Sequence, residues 1–201
     1  MTVPVPAASK SRVFCGIDAP GVVLECLCAA QTELNAILQD SKVTWPHLSE
    51  AHLTLAFLGE VDTARITEIS QVLATVCMKS KPINLLLTGR GCFPGGRNPK
   101  VLWMGVDDDS GGQLTILQGR ICQALGGYIE RPDPRAFHPH VTLARIKHLA
   151  SKERDALLKW LQAARAVPVP WPAASVKLYA SHLSPEGAKH SVLAEHPLGC
   201  D

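Results

Sequence analysis

Residues 52–58 read His52-Leu-Thr-Leu-Ala-Phe-Leu, and residues 140–146 read His140-Val-Thr-Leu-Ala-Arg-Ile. Period-2 alternation predicts a strand in each. In the first, Leu53, Leu55 and Phe57 share one face, and His52, Thr54 and Ala56 share the other. In the second, Val141 and Leu143 face the core while His140 and Thr142 are presented together. Each His and its Thr then lie about 6.5–7 Å apart along the chain. Strict alternation puts Arg145 on the face away from His140; only a bulge would bring it back.

The surroundings of the two stretches also repeat. Asp18, closing an apolar strand at 13–17, is 34 residues before His52; Asp107, closing a strand at 101–106, is 33 residues before His140. An amphipathic helix fills each interval, with Val23, Cys26, Leu27, Ala30, Leu34, Ile37 and Leu38 in the first and Leu114, Leu117, Ile121 and Leu125 in the second. A helix start follows each His by 11 residues, near Thr63 and Ser151. Further strands are expected at 83–88, 176–182 and 191–196, with a glycine-rich loop at 89–99, GRGCFPGGRNP. Internal self-similarity of this kind indicates duplication. The expected organisation is a disordered lead-in at 1–11 and one bilobal domain at 12–201. Its repeats span about 12–100 and 101–201, with room for strand exchange, and each places a His-x-Thr strand at a shared cleft.

Composition bounds the function. At 201 residues the chain suits one domain. An apolar fraction of 46% supplies a core, and a net charge of +2 excludes bulk electrostatic attachment to nucleic acid. An anionic ligand therefore needs a local cluster. No apolar run approaches membrane-spanning length. The start, MTVPVPAASKSR, reads as a Pro-broken lead-in rather than a signal peptide. Seven cysteines without a paired framework fit a reducing, cytoplasmic setting.

Eight histidines and ten threonines make one His-x-Thr pair a matter of chance. Two pairs, each followed by Leu and at equivalent places in a repeat, are not. Unperturbed imidazole titrates near pH 6.5, so one ring serves as base while the other serves as acid. Hydroxyls beside them donate to an oxyanion. In-line displacement at phosphorus has this symmetry and needs no metal. His138 and His140 form an H-x-H, but no Asp, Glu or Cys joins them at metal-ligand spacing.

The sequence resembles the 2H phosphoesterases, within them the RNA 2′,3′-cyclic phosphodiesterases, also called 2′-5′ RNA ligases. The resemblance runs from about Arg12 to Leu198 and rests on AHLTLAFLGEV (51–61), PKVLWMGV (99–106), PHVTLAR (139–145) and LYASHLSPEGAKHSVLAEHPL (178–198). It implies a bilobal α+β fold, with two antiparallel sheets flanking a central cleft and helices outside. It also implies a hydrolase opening RNA 2′,3′-cyclic phosphates to 2′-phosphates, with His52 as proton donor, His140 as base, and Thr54 and Thr142 binding the phosphate. With a 5′-hydroxyl in place of water, the same site would join RNA ends through a 2′-5′ bond. Lys100, His138 and Glu195-His196 depart from the family pattern, where Arg, another basic residue and Arg-Phe are common.

Phe93 is a candidate for base stacking, and Arg90, Arg97, Lys100, Arg131 and Arg145 are candidates for holding a nucleotide. Tyr179 and the tryptophans read as core or cleft wall. His182, His190 and His196 lack a paired hydroxyl and read as structural or exposed. The expected partner is RNA with a 2′,3′-cyclic phosphate end, without cofactor, membrane or obligate protein partner. Two alternatives stay open: a phosphodiesterase for a small nucleotide (an ADP-ribose cyclic phosphate or 2′-5′ oligoadenylate), and a non-catalytic module that binds RNA ends.

Overall fold

The computed structural model describes residues 9–109, 111–130, 134–163, 167–184 and 187–199. The first half of the chain supplies β1 (Lys10–Asp18), α1 (Gly21–Ile37), β2 (Lys42–Thr44), β3 (His52–Asp62), α2 (Ile66–Met78) and β4 (Ile83–Phe93). The second supplies β5 (Val101–Asp108), α3 (Gln113–Leu125), β6 (His140–His148), α4 (Arg154–Gln162), β7 (Val169–Ala173), β8 (Ser175–Ser184) and β9 (Gly187–Pro197). These strands form two antiparallel sheets, one in the order β3-β1-β8-β9 and the other β2-β6-β5-β4-β7.

The repeat unit is strand-helix-strand-helix-strand, β1-α1-β3-α2-β4 and then β5-α3-β6-α4-β8. The third strand of each unit joins the other unit's sheet: β4 pairs with β5, and β8 pairs with β1. Helices cross over in the same sense. α1, of the first unit, packs on β6 and β7, whereas α3, of the second, packs on β3. The buried stripes Val23, Leu27, Ala30, Leu34 and Leu114, Leu117, Ile121, Leu125 follow the three-and-four spacing of one helix face. Leu27 and Leu34 are fully buried, each worth about 1.5–3 kcal/mol of apolar burial. Neither half can therefore complete its core without the other.

Two expectations need correction. The lead-in stops short of residue 11, because Lys10 and Ser11 pair with Asp62 and Val61. The segment 89–99 is not all loop: β4 continues to Phe93, with Gly91 opposite Trp103. Gly91 is there because a Cβ would clash with the Trp103 indole lying over it. Two short strands, β2 and β7, carried no clear signal. β7, Val-Pro-Trp-Pro-Ala, lies at a sheet edge, where proline's missing donor costs least.

Candidate active site

β3 and β6 belong to different sheets yet lie against each other, and each opens with its His-x-Thr. Leu53 and Leu55 are buried in β3, and Val141 and Leu143 in β6, so the core anchors both strands. Then each alternation breaks. Gly16 pairs with Thr54 and Cys15 with Ala56, leaving Leu55 unopposed. Trp103 pairs with Thr142 and Leu102 with Ala144, leaving Leu143 unopposed. These are β-bulges, and they reverse the faces beyond them. Ala56 and Ala144 turn inward, while Phe57 (64% exposed) and Arg145 turn out onto the face of the His and Thr side chains. Strict alternation would place both residues on the opposite face.

Both imidazoles are anchored alike. His52 Nδ1 lies 2.7 Å from the Glu50 carbonyl, and His140 Nδ1 lies 2.7 Å from the His138 carbonyl. A carbonyl only accepts, so each Nδ1 carries hydrogen, and Nε2 is left to exchange protons. The His52 ring packs against Phe14 (4.7 Å between centroids), Tyr179 (5.8 Å) and the edge of His190 (5.2 Å). The His140 ring packs against Phe93 (5.2 Å) and Trp103 (5.9 Å).

Burial is the largest influence on both rings and holds both pKa values below the ordinary imidazole range. The charges around them differ. The hydrogen bond to the Glu50 carbonyl pulls His52 back up, His190 pushes it down, and the Asp18 and Glu50 carboxylates, each weaker than His190, pull it up. His138, Arg145 and Arg135 all push His140 down. Asp18 is itself held by Lys177 Nζ at 2.5 Å and by the Tyr179 hydroxyl.

The remaining candidates divide. Phe93 lies in the cluster, touching Trp103, His138 and His140. Lys100 is exposed at the mouth of the 94–99 loop, where its carbonyl accepts from Ile146 N–H at 2.8 Å beside Arg145. Arg90 is not brought to the cluster: its guanidinium lies over the Trp160 ring and pairs with Glu33 at 2.8 Å, on the side of α1 and α4. Arg97 leans toward Asp155 at the start of α4 and is largely in solvent. Arg131 lies outside the described residues. Glu50, His138, Trp103, Tyr179 and His190 belong to the cluster without having been singled out for it. Only sheet pairing brings β9 and His190 to His52, so no local pattern announces it. His196 instead contacts Ser70, on α2. Among the described residues, no three His, Cys, Asp or Glu side chains gather to hold a metal ion, and no helix is long and apolar enough to cross a membrane.

A duplicated α+β fold that sets two anchored histidines, each with its threonine, on adjoining strands defines a two-histidine phosphoesterase scaffold. A sequence model of the 2′-5′ RNA ligase superfamily matches residues 30–184. The chain belongs to that superfamily. It is 34% identical over 145 residues to an RNA 2′,3′-cyclic phosphodiesterase of Aeropyrum pernix, covering 72% of this chain and 80% of the relative. It is 31% identical over 156 residues to the Geobacillus stearothermophilus protein of the same name, covering 77% of this chain and 48% of that relative, so the match spans about half the relative's length. The crystal structure of a Thermus thermophilus protein superposes with a TM-score of 0.76 at 25% identity, covering 93% of this chain and 97% of the other. Apo LigT of E. coli shares the fold, with a TM-score of 0.70 at 22% identity over 95% of this chain and 99% of its own.

Proposed function

We propose that the chain hydrolyses RNA 2′,3′-cyclic phosphate ends to 2′-phosphomonoesters by general acid–base catalysis between His140 and His52. The observation that carries this reading is the pair of rings, anchored identically through Nδ1 but set among opposite charges. The cations around His140 favour its neutral form, a base. The carboxylates near His52 favour its protonated form, an acid, and on this reading the alkaline limb of activity belongs to His52 and the acid limb to His140. Names borne by the relatives point to the same reaction.

In the proposed step, His140 Nε2 takes a proton from water as the water oxygen bonds to phosphorus. The bond from phosphorus to O3′ breaks, and His52 Nε2 gives its proton to that oxygen. The product is a 2′-phosphate beside a free 3′-hydroxyl. Thr54 and Thr142 donate to the non-bridging oxygens, and Arg145 balances their charge. Phe93 and Trp103 wall the base on the His140 side, and Phe57 offers an exposed aromatic on the other. No metal takes part. With a 5′-hydroxyl attacking in place of water, the same displacement makes a 2′-5′ bond. Six free cysteines among the described residues suit a reducing compartment such as the cytoplasm.

The test is an oligonucleotide ending in a 2′,3′-cyclic phosphate, incubated with excess chelator. The expected product carries a 2′-phosphate. A 3′-phosphate product, or activity lost to the chelator and restored by metal, would overturn the scheme.

A further inference from the structure

The two bulges are held from outside the strands. Gln31 lies on α1 and Gln118 on α3, the helix that follows the first strand of each repeat. Gln31 Nε2 donates to the carbonyl of Leu143 at 3.0 Å and to that of Pro46 at 3.1 Å. Gln118 Nε2 donates to the carbonyl of Leu55 at 3.3 Å and to Cys122 Sγ at 3.1 Å. Leu143 and Leu55 are the residues the ladders skip directly after each His-x-Thr. Each grip crosses the repeat, since α1 of the first unit holds β6 of the second and α3 holds β3.

A bulge interrupts the ladder, and the backbone groups of its extra residue need other partners. Without it, the regular register would exchange faces, turning Ala56 and Ala144 outward and Phe57 and Arg145 toward the core. A helix-borne amide aimed at the skipped carbonyl favours the bulged register. The same device occurs in both halves, on equivalent helices, at the same residue of the strand motif.

We propose that Gln31 and Gln118 are positioning residues: by holding the carbonyls of Leu143 and Leu55 they fix the bulges that keep Arg145 and Phe57 on the face of the His-x-Thr pairs. The kinetic part of this inference rests on the function proposed above. Gln31→Met keeps the length of the side chain and removes its donor. Its kcat/KM on a nucleoside 2′,3′-cyclic phosphate should fall about 10- to 100-fold, the scale of a small misplacement at a reacting centre. In an Arg145→Ala background the same change should cost less than about twofold, because the residue it positions is gone. Equal losses in both backgrounds would mark a merely structural glutamine and overturn the proposal. Gln118→Met with Phe57→Ala forms the second cycle, so a folding failure in one half leaves the other to decide. Amide hydrogen exchange reads the bulges without turnover. Residues 144–145 should exchange faster in Gln31→Met, and 56–57 in Gln118→Met; unchanged exchange in both would refute the inference. If the unmodified chain opens no cyclic phosphate, the functional reading fails, and exchange alone decides this one.

Discussion

Glu50 offers a charge that reaches the proposed acid and not the proposed base. Its carbonyl holds the Nδ1–H of His52, and its carboxylate accepts from the backbone N–H of His190 at 2.7 Å. That carboxylate lies 3.8 Å from His190 Nε2, and the His190 ring lies 5.2 Å from the His52 ring. Glu50→Gln keeps the size and an acceptor oxygen, so the bond from His190 N–H survives and only the charge is lost. Glu50 helps to raise the His52 pKa and is not among the influences on His140. For a charge about one Debye length (about 8 Å) away and an effective dielectric of about 40–80 at a partly exposed side chain, Coulomb's law gives about 0.5–1 kcal/mol, or about 0.4–0.8 pH unit. The sign follows from the charge. Losing the carboxylate destabilises protonated His52, its pKa falls, and the acid is spent at lower pH. The alkaline limb of kcat/KM should therefore move down by about 0.4–0.8 unit while the acid limb stays. The assay is hydrolysis of a nucleoside 2′,3′-cyclic phosphate from about pH 5 to 9, with thermal melting to confirm an intact fold. A shift of the acid limb alone would refute the proposed order of the two titrations. An upward shift of the alkaline limb, or no shift at all, would refute the electrostatic argument.

Three further outcomes are expected. His52→Ala and His140→Ala should each lower kcat by at least about 100-fold without changing the melting curve, and near-normal turnover in either would remove that ring from its role. Phe93→Ala should raise KM on the order of 10-fold through lost base stacking, whereas an unchanged KM would reduce Phe93 to a support for Trp103. Glu153, only 7% exposed, accepts from Asp40 N–H at 2.7 Å and from the Ser41 hydroxyl at 2.5 Å. Glu153→Ala should cost about 1–3 kcal/mol in urea unfolding and leave kcat unchanged; full stability would contradict the assigned tie between α4 and the β2 turn.

The histidine strands were legible because their leucines alternate against a core, and the duplication was legible because its spacing survived. Strand exchange left less trace. β4 and β8 are apolar runs that read the same whichever sheet they join, since alternation fixes a face and not a neighbour. The bulges were illegible for a related reason: Leu-Ala-Phe and Leu-Ala-Arg satisfy strict alternation as well as they satisfy a skipped residue. Only the register against β1 and β5 decides between them. Arg90 was drawn toward the site by its place in a glycine-rich stretch. In three dimensions that stretch is strand, and the guanidinium is committed to Glu33 and Trp160.

Duplication alone would be a poor way to make an acid and a base. Two identical rings in identical surroundings would share one proton equally, and half the molecules would hold it on the wrong side of the phosphorus. The two halves here keep what orients the rings and differ in what charges them. Two residues before the histidine, the backbone carbonyl performs the same task in both, but the side chain is Glu50 in one half and His138 in the other. Five residues after it stands Phe57 in one and Arg145 in the other, delivered by the same bulge. A difference of about 1.4 kcal/mol between the two singly protonated states settles the proton about tenfold in favour of one ring. A few partly screened charges of the size worked out for Glu50 reach that sum, so the proposed division of labour between the histidines rests on their neighbours rather than on the motif they share.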